Sequence, residues 1–340
     1  MKDSSKVGVG VIGTGRIGTV HIKHLCQNIP NAEVLSICSL DTKIAKTLSE
    51  RYYIPQITTH FNQLLDNSEI DAVVVASSTD THIEICQAAA NARKHIFCEK
   101  PIALELKAID DTLSVVKESG VKLQVGFNRR FDVNFLRLQE LIRKGEIGVP
   151  HILRITSRDP SPPPIEYLKV SGGIFLDMTI HDFDMARFLI GDEIDEIYAV
   201  GNVNIDPEIG QVGDFDTAVI TLRFKNGILG TIDNSRQAVY GYDQRVEVFG
   251  SKGMVSVGNS VPDTITSTLK NGSITSLPQH FFIERYKQAY LLEMESFIQS
   301  IIVDTKPKVT GKDGKIPIQI GYAALKSIEE NRPVSLSEIQ

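Results

Sequence analysis

A glycine-rich turn directly after the first apolar segment constrains the fold of this chain more than any other feature. Residues 7–12 form the apolar segment, and the next six residues are Gly13, Thr14, Gly15, Arg16, Ile17 and Gly18. Glycines at these spacings permit a tight turn from a strand into a helix and the close approach of a pyrophosphate to the backbone. Because a helix N-terminus attracts anions, we expect these six residues to bind a dinucleotide.

The first 127 residues alternate between short β-branched segments and segments with helical periodicity. This alternation predicts a parallel sheet whose strands are joined by right-handed helical crossovers. The expected strands are residues 7–12, 34–38, 72–76, 95–98 and 123–127, and the expected helices are residues 18–28, 43–52, 81–92 and 103–119, the last with Pro101 as a start signal. Residues 1–127 are therefore predicted to form a doubly wound α/β domain of the Rossmann type.

After residue 127 the pattern changes to one helix, residues 132–144, followed mostly by strands. The expected strands are residues 152–157, 197–203, 217–224, 230–235, 245–249 and 254–257, and further helices are expected at 174–190 and 285–303. Turn residues at 225–227 and 251–253 separate consecutive strands, which indicates hairpins. Residues 128–340 are therefore predicted to form an α+β domain with a large, mostly antiparallel open sheet.

Charge and composition narrow the class of function. Lys and Arg total 36 against 42 Asp and Glu, a net charge of −6, so no basic excess favours a nucleic acid or an anionic membrane as partner. No apolar segment approaches the roughly 20 residues that span a bilayer, and residues 1–6 lead into the first strand without a signal-peptide apolar region. We therefore expect a cytoplasmic protein that acts on a small molecule.

Two further segments supply groups that can transfer a proton. The first is Glu99-Lys100-Pro101, and in the second, if residues 174–190 form one helix, Asp177, His181 and Asp184 share one face. Oxidation of a secondary alcohol requires removal of the hydroxyl proton as hydride leaves carbon, and an imidazole suits that task. We expect His181 to be the general base, Lys100 to stabilise the developing alkoxide, and Asp177 to orient the imidazole or bond a substrate hydroxyl. With a nicotinamide site, these groups predict an alcohol dehydrogenase.

No metal is expected. Asp177, His181 and Asp184 on one helix face could hold an ion, but hydride transfer beside a lysine needs no Lewis acid, and no further His or Cys cluster completes a zinc site. The four cysteines have no CxxC spacing, which favours reduced thiols in the core over disulfides; they are Cys26, Cys38, Cys86 and Cys98.

The end of the second strand bears on the choice between NAD and NADP. The acid that accepts the ribose hydroxyls is expected about 20 residues after the glycine turn. Ser39 occupies that position, and Asp41, two residues later, could accept the ribose hydroxyls of NAD. Ser39 together with Arg16 could instead hold the 2′-phosphate of NADP. NAD is the expected cofactor, and NADP remains an alternative. The other residues expected to bind the cofactor are Ser77, Ser78, Thr79, His82, Glu99 and Lys100.

These motifs resemble those of the glucose-fructose oxidoreductase, inositol dehydrogenase and rhizopine-catabolism (Gfo/Idh/MocA) family. The resemblance rests on the glycine turn, the Glu99-Lys100-Pro101 motif, and residues 126–131 and 172–184, and it is greatest to inositol 2-dehydrogenases. It implies that Lys100, Asp177 and His181 surround the carbon that loses hydride, and that the Lys100–Pro101 peptide can be cis. It also implies a cyclic polyol as substrate, with oxidation of myo-inositol to scyllo-inosose as the expected reaction. One face of the open sheet needs cover, so we expect a homodimer or, as the resemblance implies, a homotetramer.

Several polar residues are expected to contact the polyol, and these are Lys100, Asn128, Arg129, Asp159, Asp177, His181 and Tyr240. Inositol dehydrogenases place a histidine and an asparagine in the segment that corresponds to residues 157–160, and Ser157 and Asp159 depart from that pattern. A scyllo-inositol or aldose dehydrogenase is therefore an alternative. A nucleotide-sensing regulator without turnover is the alternative from another class, but it would not need Lys100 together with Asp177 and His181.

Overall fold

The apolar strands of the N-terminal part form a six-stranded parallel sheet in the computed structural model, which describes residues 6–339. In chain order the strands are β1 (Val7–Ile12), β2 (Ala32–Cys38), β3 (Gln56–Thr58), β4 (Ala72–Val75), β5 (His95–Glu99) and β6 (Leu123–Gly126). They lie in the order β3-β2-β1-β4-β5-β6, and each neighbouring pair is parallel. The predicted doubly wound sheet is confirmed, and its strand order reverses between β1 and β4, where such sheets bind their ligands.

Helices join these strands. They are α1 (Arg16–Gln27), α2 (Thr42–Tyr52), α3 (Phe61–Leu65), α4 (His82–Asn91) and α5 (Leu106–Ser119). The helices predicted for this domain are confirmed, whereas β3 and α3 are absent from the prediction because such short segments show no period. Pro101 does not start α5, whose first residue is Leu106.

The strands after residue 128 form a second sheet of seven strands. They are β7 (Pro150–Arg158), β8 (Ile194–Asn202), β9 (Thr217–Phe224), β10 (Leu229–Ser235), β11 (Asp243–Gly250), β12 (Gly253–Val257) and β15 (Val334–Ser335). Two further strands, β13 (Thr266–Leu269) and β14 (Gly272–Thr275), form a separate hairpin. The order in the seven-stranded sheet is β12-β11-β7-β10-β9-β8-β15; the β7–β10 pair is parallel and the other pairs are antiparallel. The mostly antiparallel sheet and the hairpins at 225–227 and 251–253 are confirmed.

The later helices are α6 (Val133–Arg143), α7 (Ile165–Ser171), α8 (Ile180–Ile190), α9 (Pro207–Gln211), α10 (Phe282–Arg285), α11 (Lys287–Ile302) and α12 (Gly311–Glu330). α6 and α11 confirm the helices predicted at 132–144 and 285–303. α12 is absent from the prediction because Gly311, Gly314 and Pro317 disfavour a helix interior. Close packing explains one of these glycines, since a Cβ at Gly311 would lie 2.1 Å from a methyl group of Leu113.

One face of the second sheet is buried and the other is exposed. Along β9, Ala218, Ile220 and Leu222 are buried, whereas Val219 and Thr221 between them face outward. Cross-strand partners lie on the same face of a sheet, so the register defines a row of apolar side chains across four strands. This row comprises Met254, Phe249, Ile152 and Leu229. Three of its members, at positions 254, 249 and 229, are between 45% and 53% exposed.

The chain divides into two compact units whose boundary differs from the predicted one. The first unit contains Met1–Asn128 and Gln288–Ile316, and the second contains Arg129–Lys287 and Pro317–Gln340. Met294 and Phe297 of α11 are fully buried in the same apolar cluster as side chains of β1 and β2. The structure therefore does not have a continuous second domain over residues 128–340. Nothing in the sequence of α11 shows which core its apolar side chains join.

Among the described residues, no helix combines the length and the apolar composition that crossing a membrane requires. Residues 1–5, which make up most of the segment expected to lack a signal peptide, and residue 340 lie outside the described residues. All four cysteines are free, and Cys38, Cys86 and Cys98 are buried, as predicted for core thiols. Burial raises the pKa of Cys26 to about 12 and that of Cys38 to about 11.

Candidate functional site

The glycine turn has the backbone geometry that a bound pyrophosphate requires. Gly13 has φ +102°, and a Cβ on it would lie 2.4 Å from the main-chain oxygen of Ala76, so other residues are excluded. A Cβ at Gly18 would lie 2.2 Å from the Gly13 oxygen. Gly15 caps the N-terminus of α1, no side chain caps it, and the space beside it is open. The first N–H groups of α1 therefore suit an anionic group such as a pyrophosphate.

Ser39 and Thr14 hold the turn against the end of β2. The Ser39 Oγ lies 2.6 Å from the Thr14 Oγ1 and accepts the N–H of Asp41 at 3.1 Å, and the Ser39 residue is 7% exposed. The Asp41 carboxylate caps α2, accepting the N–H groups of Lys43 and Ile44 at 3.0 Å each. Both predicted ribose contacts thus already have partners within the protein, and Ser39 has the more buried position.

The loop after β4 is tied to the loop after β5 by His82, which is 1% exposed. Its Nδ1 lies 2.9 Å from the Pro101 oxygen and its Nε2 lies 3.2 Å from the Ser77 oxygen. Burial lowers the pKa of His82, which favours the neutral imidazole. A neutral imidazole donates to only one of these two oxygens, and the cofactor contact of His82 stays a prediction. Ser78 is exposed and Thr79 half-buried in the same loop.

Glu99, Lys100 and Pro101 lie at the carboxyl end of β5, and the Lys100–Pro101 peptide is cis. Lys100 is half-buried. Asn128 follows the end of β6 and is 2% exposed; its Nδ2 has no hydrogen-bond partner among the described residues. The predicted cofactor-binding residues of the first unit thus follow the carboxyl ends of neighbouring parallel strands, the edge at which doubly wound sheets bind ligands.

The segment predicted as one helix over 174–190 is two elements. Ile174–Met178 forms a π-helical turn, and α8 begins after Thr179. A π turn contains more residues than an α turn, so it changes the angular positions of the side chains before it. Asp177 and Asp184 consequently have different partners: Tyr167 donates to Asp177 at 2.8 Å, whereas Arg130 donates to Asp184 at 2.6 and 2.8 Å. Residues 174–190 therefore do not form one regular α-helix, which was the condition for placing Asp177, His181 and Asp184 on one face.

A buried arginine that the sequence analysis missed lies beside Asp177. Arg236 follows the end of β10 and is 1% exposed; its Nη1 is 3.9 Å from Asp177, and its Nη2 donates to Asp214 at 3.2 Å. Asp214 in turn accepts the N–H of Ile174, the first residue of the π turn, at 2.8 Å. The pair of Arg236 and Asp214 therefore holds the turn that carries Asp177. The polar run at 233–236 was the signal in the sequence.

A second buried network holds the first turn of α8, where half-buried His181 lies. Arg129 donates to Asp182 at 2.6 Å and to the Tyr242 hydroxyl at 3.2 Å. Asn234 donates to the other oxygen of Asp182 at 2.8 Å and accepts from Thr179 at 2.6 Å. The buried guanidinium of Arg129 therefore binds Asp182 and Tyr242, and its substrate contact stays a prediction.

Asp159 and Tyr240, the other predicted substrate contacts, differ in their surroundings. Burial raises the pKa of Asp159 to about 6, while the nearby guanidinium of Arg236 opposes that rise and the Asp177 carboxylate adds to it. The Tyr240 hydroxyl instead donates to Asp243 at 2.6 Å and accepts from Arg158 at 3.3 Å. Tyr240 therefore has two protein partners, and its substrate contact stays a prediction.

Asp159, Asp177 and Arg236 offer acceptors and donors in one electrostatic cluster of the second unit. Such a cluster is suited to a ligand with several hydroxyl groups, because each hydroxyl both donates and accepts. A cavity of about 700 Å³ lies elsewhere in this unit, and none of the predicted site residues lines it.

Comparison with known proteins identifies the family. Residues 7–127 match the family model described as an oxidoreductase family with an NAD-binding Rossmann fold, and residues 135–256 match the GFO/IDH/MocA C-terminal domain. The chain belongs to the GFO/IDH/MocA oxidoreductase family. The resemblance found in the motifs is thus confirmed, as are the oxidoreductase class and the NAD-binding domain.

Members of this family resemble the chain over nearly its whole length. A relative named myo-inositol 2-dehydrogenase from Thermotoga maritima is 50% identical over 97% of this chain and 99% of its own. A putative myo-inositol dehydrogenase from Sinorhizobium meliloti 1021 is 42% identical, with a TM-score of 0.94 over 97% of this chain and 100% of its own. A scyllo-inositol dehydrogenase from Lactobacillus casei, solved with NAD(H) and scyllo-inositol, is 29% identical, with a TM-score of 0.91 over 98% and 99% of the two chains.

The raised pKa of Asp159 predicts a pH dependence of stability. A carboxyl with a folded-state pKa near 6 and an unfolded value near 3.8 binds its proton more tightly in the folded chain, so stability falls as pH rises between these values. Asp159→Asn removes this effect. We expect its free energy of unfolding, relative to the unmodified chain, to rise between pH 4 and pH 7 by up to about 3 kcal/mol. Denaturant unfolding measures the difference, and the exposed Asp195→Asn is the matched control; equal shifts in both variants would contradict the assignment.

Proposed function

We propose that this protein is an NAD-dependent inositol 2-dehydrogenase that oxidises myo-inositol to scyllo-inosose. The observation that carries the proposal is the 50% identity, over nearly the full length of both chains, to the relative named myo-inositol 2-dehydrogenase. The glycine turn and the hydroxyl-binding groups of the second unit support it, because the reaction needs a dinucleotide and a ligand with many hydroxyls. We also propose the cytoplasm as its location.

The proposed reaction transfers a hydride and a proton to different acceptors. NAD, when bound, accepts the hydride from the carbon that carries the hydroxyl group. His181 accepts the hydroxyl proton, for which its imidazole must be neutral. Lys100 stabilises the negative charge that develops on the oxygen, and Asp177 orients the imidazole or accepts from a substrate hydroxyl. Gly13, Gly15 and Gly18 with the N-terminus of α1 hold the dinucleotide, and Ser78 and Thr79 are further candidates.

We propose further residues that bind the hydroxyl groups of the substrate. Asp159 and Arg236 join Lys100, Asp177 and His181 as hydroxyl-binding groups, and Asn128 contributes its buried Nδ2. A polyol hydroxyl that donates to Asp159 favours the ionised carboxyl, which is the form present above a pKa near 6.

Scyllo-inositol is the second candidate substrate. The scyllo-inositol dehydrogenase from Lactobacillus casei shares the fold at 29% identity, and the family resemblance implies a histidine and an asparagine where this chain has Ser157 and Asp159. The two inositols differ in the configuration at one carbon, so the orientation of the ring decides between them. A panel of inositols and aldoses, assayed with NAD and NADP by the absorbance of the reduced nicotinamide, tests the proposal. Turnover of an aldose alone, or of no substrate while NAD still binds, would contradict it.

The catalytic assignment predicts the effect of two substitutions. His181→Ala and Lys100→Ala are each expected to lower kcat by at least about 100-fold, because they remove proton transfer or charge stabilisation in the transition state. NAD binding, measured by fluorescence titration, is expected to change little. The oxidation rate of the unmodified enzyme should also rise with pH to a plateau. His60→Ala and Lys117→Ala, at exposed positions, are controls, and near-normal turnover in both catalytic variants would disprove the mechanism.

Cofactor preference is predicted to respond to the charge at residue 39. We expect the unmodified enzyme to use NAD and to tolerate NADP. Ser39→Asp should raise the NAD-to-NADP ratio of kcat/KM about 10-fold or more, because a carboxylate accepts ribose hydroxyls and repels a 2′-phosphate. Ser39→Ala is the matched control, since it also loses the contact with Thr14 but adds no charge. An unchanged ratio in Ser39→Asp would show that residue 39 does not face the adenosine ribose.

We propose that the exposed face of the second sheet joins copies of this chain in a homotetramer. The apolar row defined above supports this, since partly exposed Phe249, Leu229 and Met254 lie on neighbouring strands of one face. Light scattering is expected to give about four times the chain mass of 37.6 kDa. Leu229→Asp should lower that mass, whereas Val303→Asp, at another exposed position, should not. A monomeric unmodified chain would refute the assembly.

A further inference from the structure

Two carboxyl groups and one imidazole form a buried cluster directly before Lys100 in the first unit. The cluster consists of His21 on α1, Glu99 at the end of β5 and Glu293 on α11. One side-chain nitrogen or oxygen atom from each residue lies within 4.8 Å of the other two. His21 and Glu293 are 0% exposed, and the Glu99 side chain is 12% exposed. The chemistry proposed above uses neither His21 nor Glu293.

Glu99 connects the cluster to Lys100. Its Oε1 lies 2.6 Å from the Nε2 of His21, and its Oε2 accepts the main-chain N–H of Lys100 at 3.3 Å. The carboxyl group also lies against the end of β6, because a Cβ at Gly126 would come within 2.9 Å of Oε2. Both oxygens of Glu99 therefore contact protein groups, and one of these groups is the main-chain N–H of Lys100.

Glu293 is the unusual member of the cluster. Neither of its carboxyl oxygens has a hydrogen-bond partner among the described residues, and both are buried. Burial of an ionised carboxylate without a partner costs far more free energy than burial of the neutral acid. Burial raises the pKa of Glu293 well above its usual value, and the nearby carboxylate of Glu99 adds to the rise.

Three further described residues contact members of the cluster, and none of these three side chains is a cation. From α11, the ring of Tyr290 meets that of His21 edge-on, with 6.1 Å between centroids. From β5, the thiol of Cys98 donates to a main-chain oxygen. From β6, Gln124 donates to the main-chain oxygen of Glu293 at 2.8 Å. A neutral Glu293 leaves the imidazole and Glu99 as a hydrogen-bonded pair, whereas an ionised one adds a second negative charge beside Glu99.

We propose that His21, Glu99 and a neutral Glu293 form a positioning cluster that fixes the main chain at Lys100, and that this cluster takes up a proton when the chain folds. His21 holds the Glu99 carboxyl from the side of α1, and Lys100 therefore leaves β5 in one main-chain orientation. The neutral state of Glu293 preserves this arrangement, because a second charge would repel the Glu99 carboxylate. The catalytic consequence rests on the proposed function, whereas the proton uptake does not.

The protonation state of Glu293 is tested without any substrate. Glu293→Gln keeps the size of the side chain and removes its ionisation. Because the folded chain binds the proton more tightly than the unfolded chain, the unmodified protein should lose stability with rising pH, and the variant should not. We expect the unfolding temperature of Glu293→Gln to rise relative to the unmodified chain by about 3 °C or more between about pH 5.5 and pH 8.5.

The exposed Glu295→Gln, on the same helix, is the matched control and should follow the unmodified chain at every pH. A Glu293→Gln variant whose difference in unfolding temperature is independent of pH would overturn the proton uptake. Metal analysis of the purified protein tests whether the cluster instead binds a metal ion. A stoichiometric metal ion that is lost in Glu293→Gln would also overturn the proposal and assign these oxygens to a cation.

The positioning role is tested by a double-mutant cycle. Glu99→Gln is expected to lower kcat about 10-fold or more, with the dissociation constant of NAD changed less than about 3-fold. Introduced into Lys100→Ala, the same change should lower kcat less than about 2-fold further, because the group it positions is already gone. Equal losses in both backgrounds would overturn the role. Glu118→Gln, at an exposed position of α5, is the control. If the unmodified enzyme oxidises no inositol while the pH test succeeds, the proposed function and the catalytic role of the cluster fail, and the proton uptake stands.

Discussion

Close backbone packing at Gly13 is the constraint on which the first unit depends. A side chain there would meet the Ala76 oxygen, so only glycine lets β1 turn directly into α1 at the edge of the sheet. The same turn decides where the rest of α1 lies. It places His21 beside Glu99, the residue before Lys100. One backbone constraint therefore forms the pyrophosphate site and also fixes a partner of the lysine motif.

In the second unit, a chain of buried polar contacts has the corresponding role. Thr179, Asn234, Asp182 and Arg129 are linked by hydrogen bonds of 2.6 to 2.8 Å inside the protein. Removal of one member would leave its neighbours buried and unpaired, at a cost of roughly 1–3 kcal/mol for each group. His181 lies between Thr179 and Asp182 in the sequence, so the network restrains the backbone on both sides of the imidazole.

The sequence proposes site residues where a residue acts through its own chemistry and its position in a motif. The glycine turn, Lys100, Asp177 and His181 are of this kind, and their roles stay predictions. Arg129, His82 and Tyr240 have protein partners that the sequence did not show, because a polar residue at a strand end can bind either a ligand or the protein. The partners that decided these cases are distant in sequence, as Asp182 is 53 residues after Arg129. Arg236 and Asp214 were missed for the same reason.

Sequence alone determined both sheets, most of their strands and the dinucleotide turn, because residue periodicity and glycine spacing act over short distances. Tertiary structure decided what depends on contacts between distant segments. It assigned residues 288–316 to the first unit, since the apolar residues of α11 carry no signal of the core they join. It also converted the start of the predicted helix at 174–190 into a π turn, whose first N–H binds the buried carboxylate of Asp214. No period in a sequence encodes a contact between such distant residues.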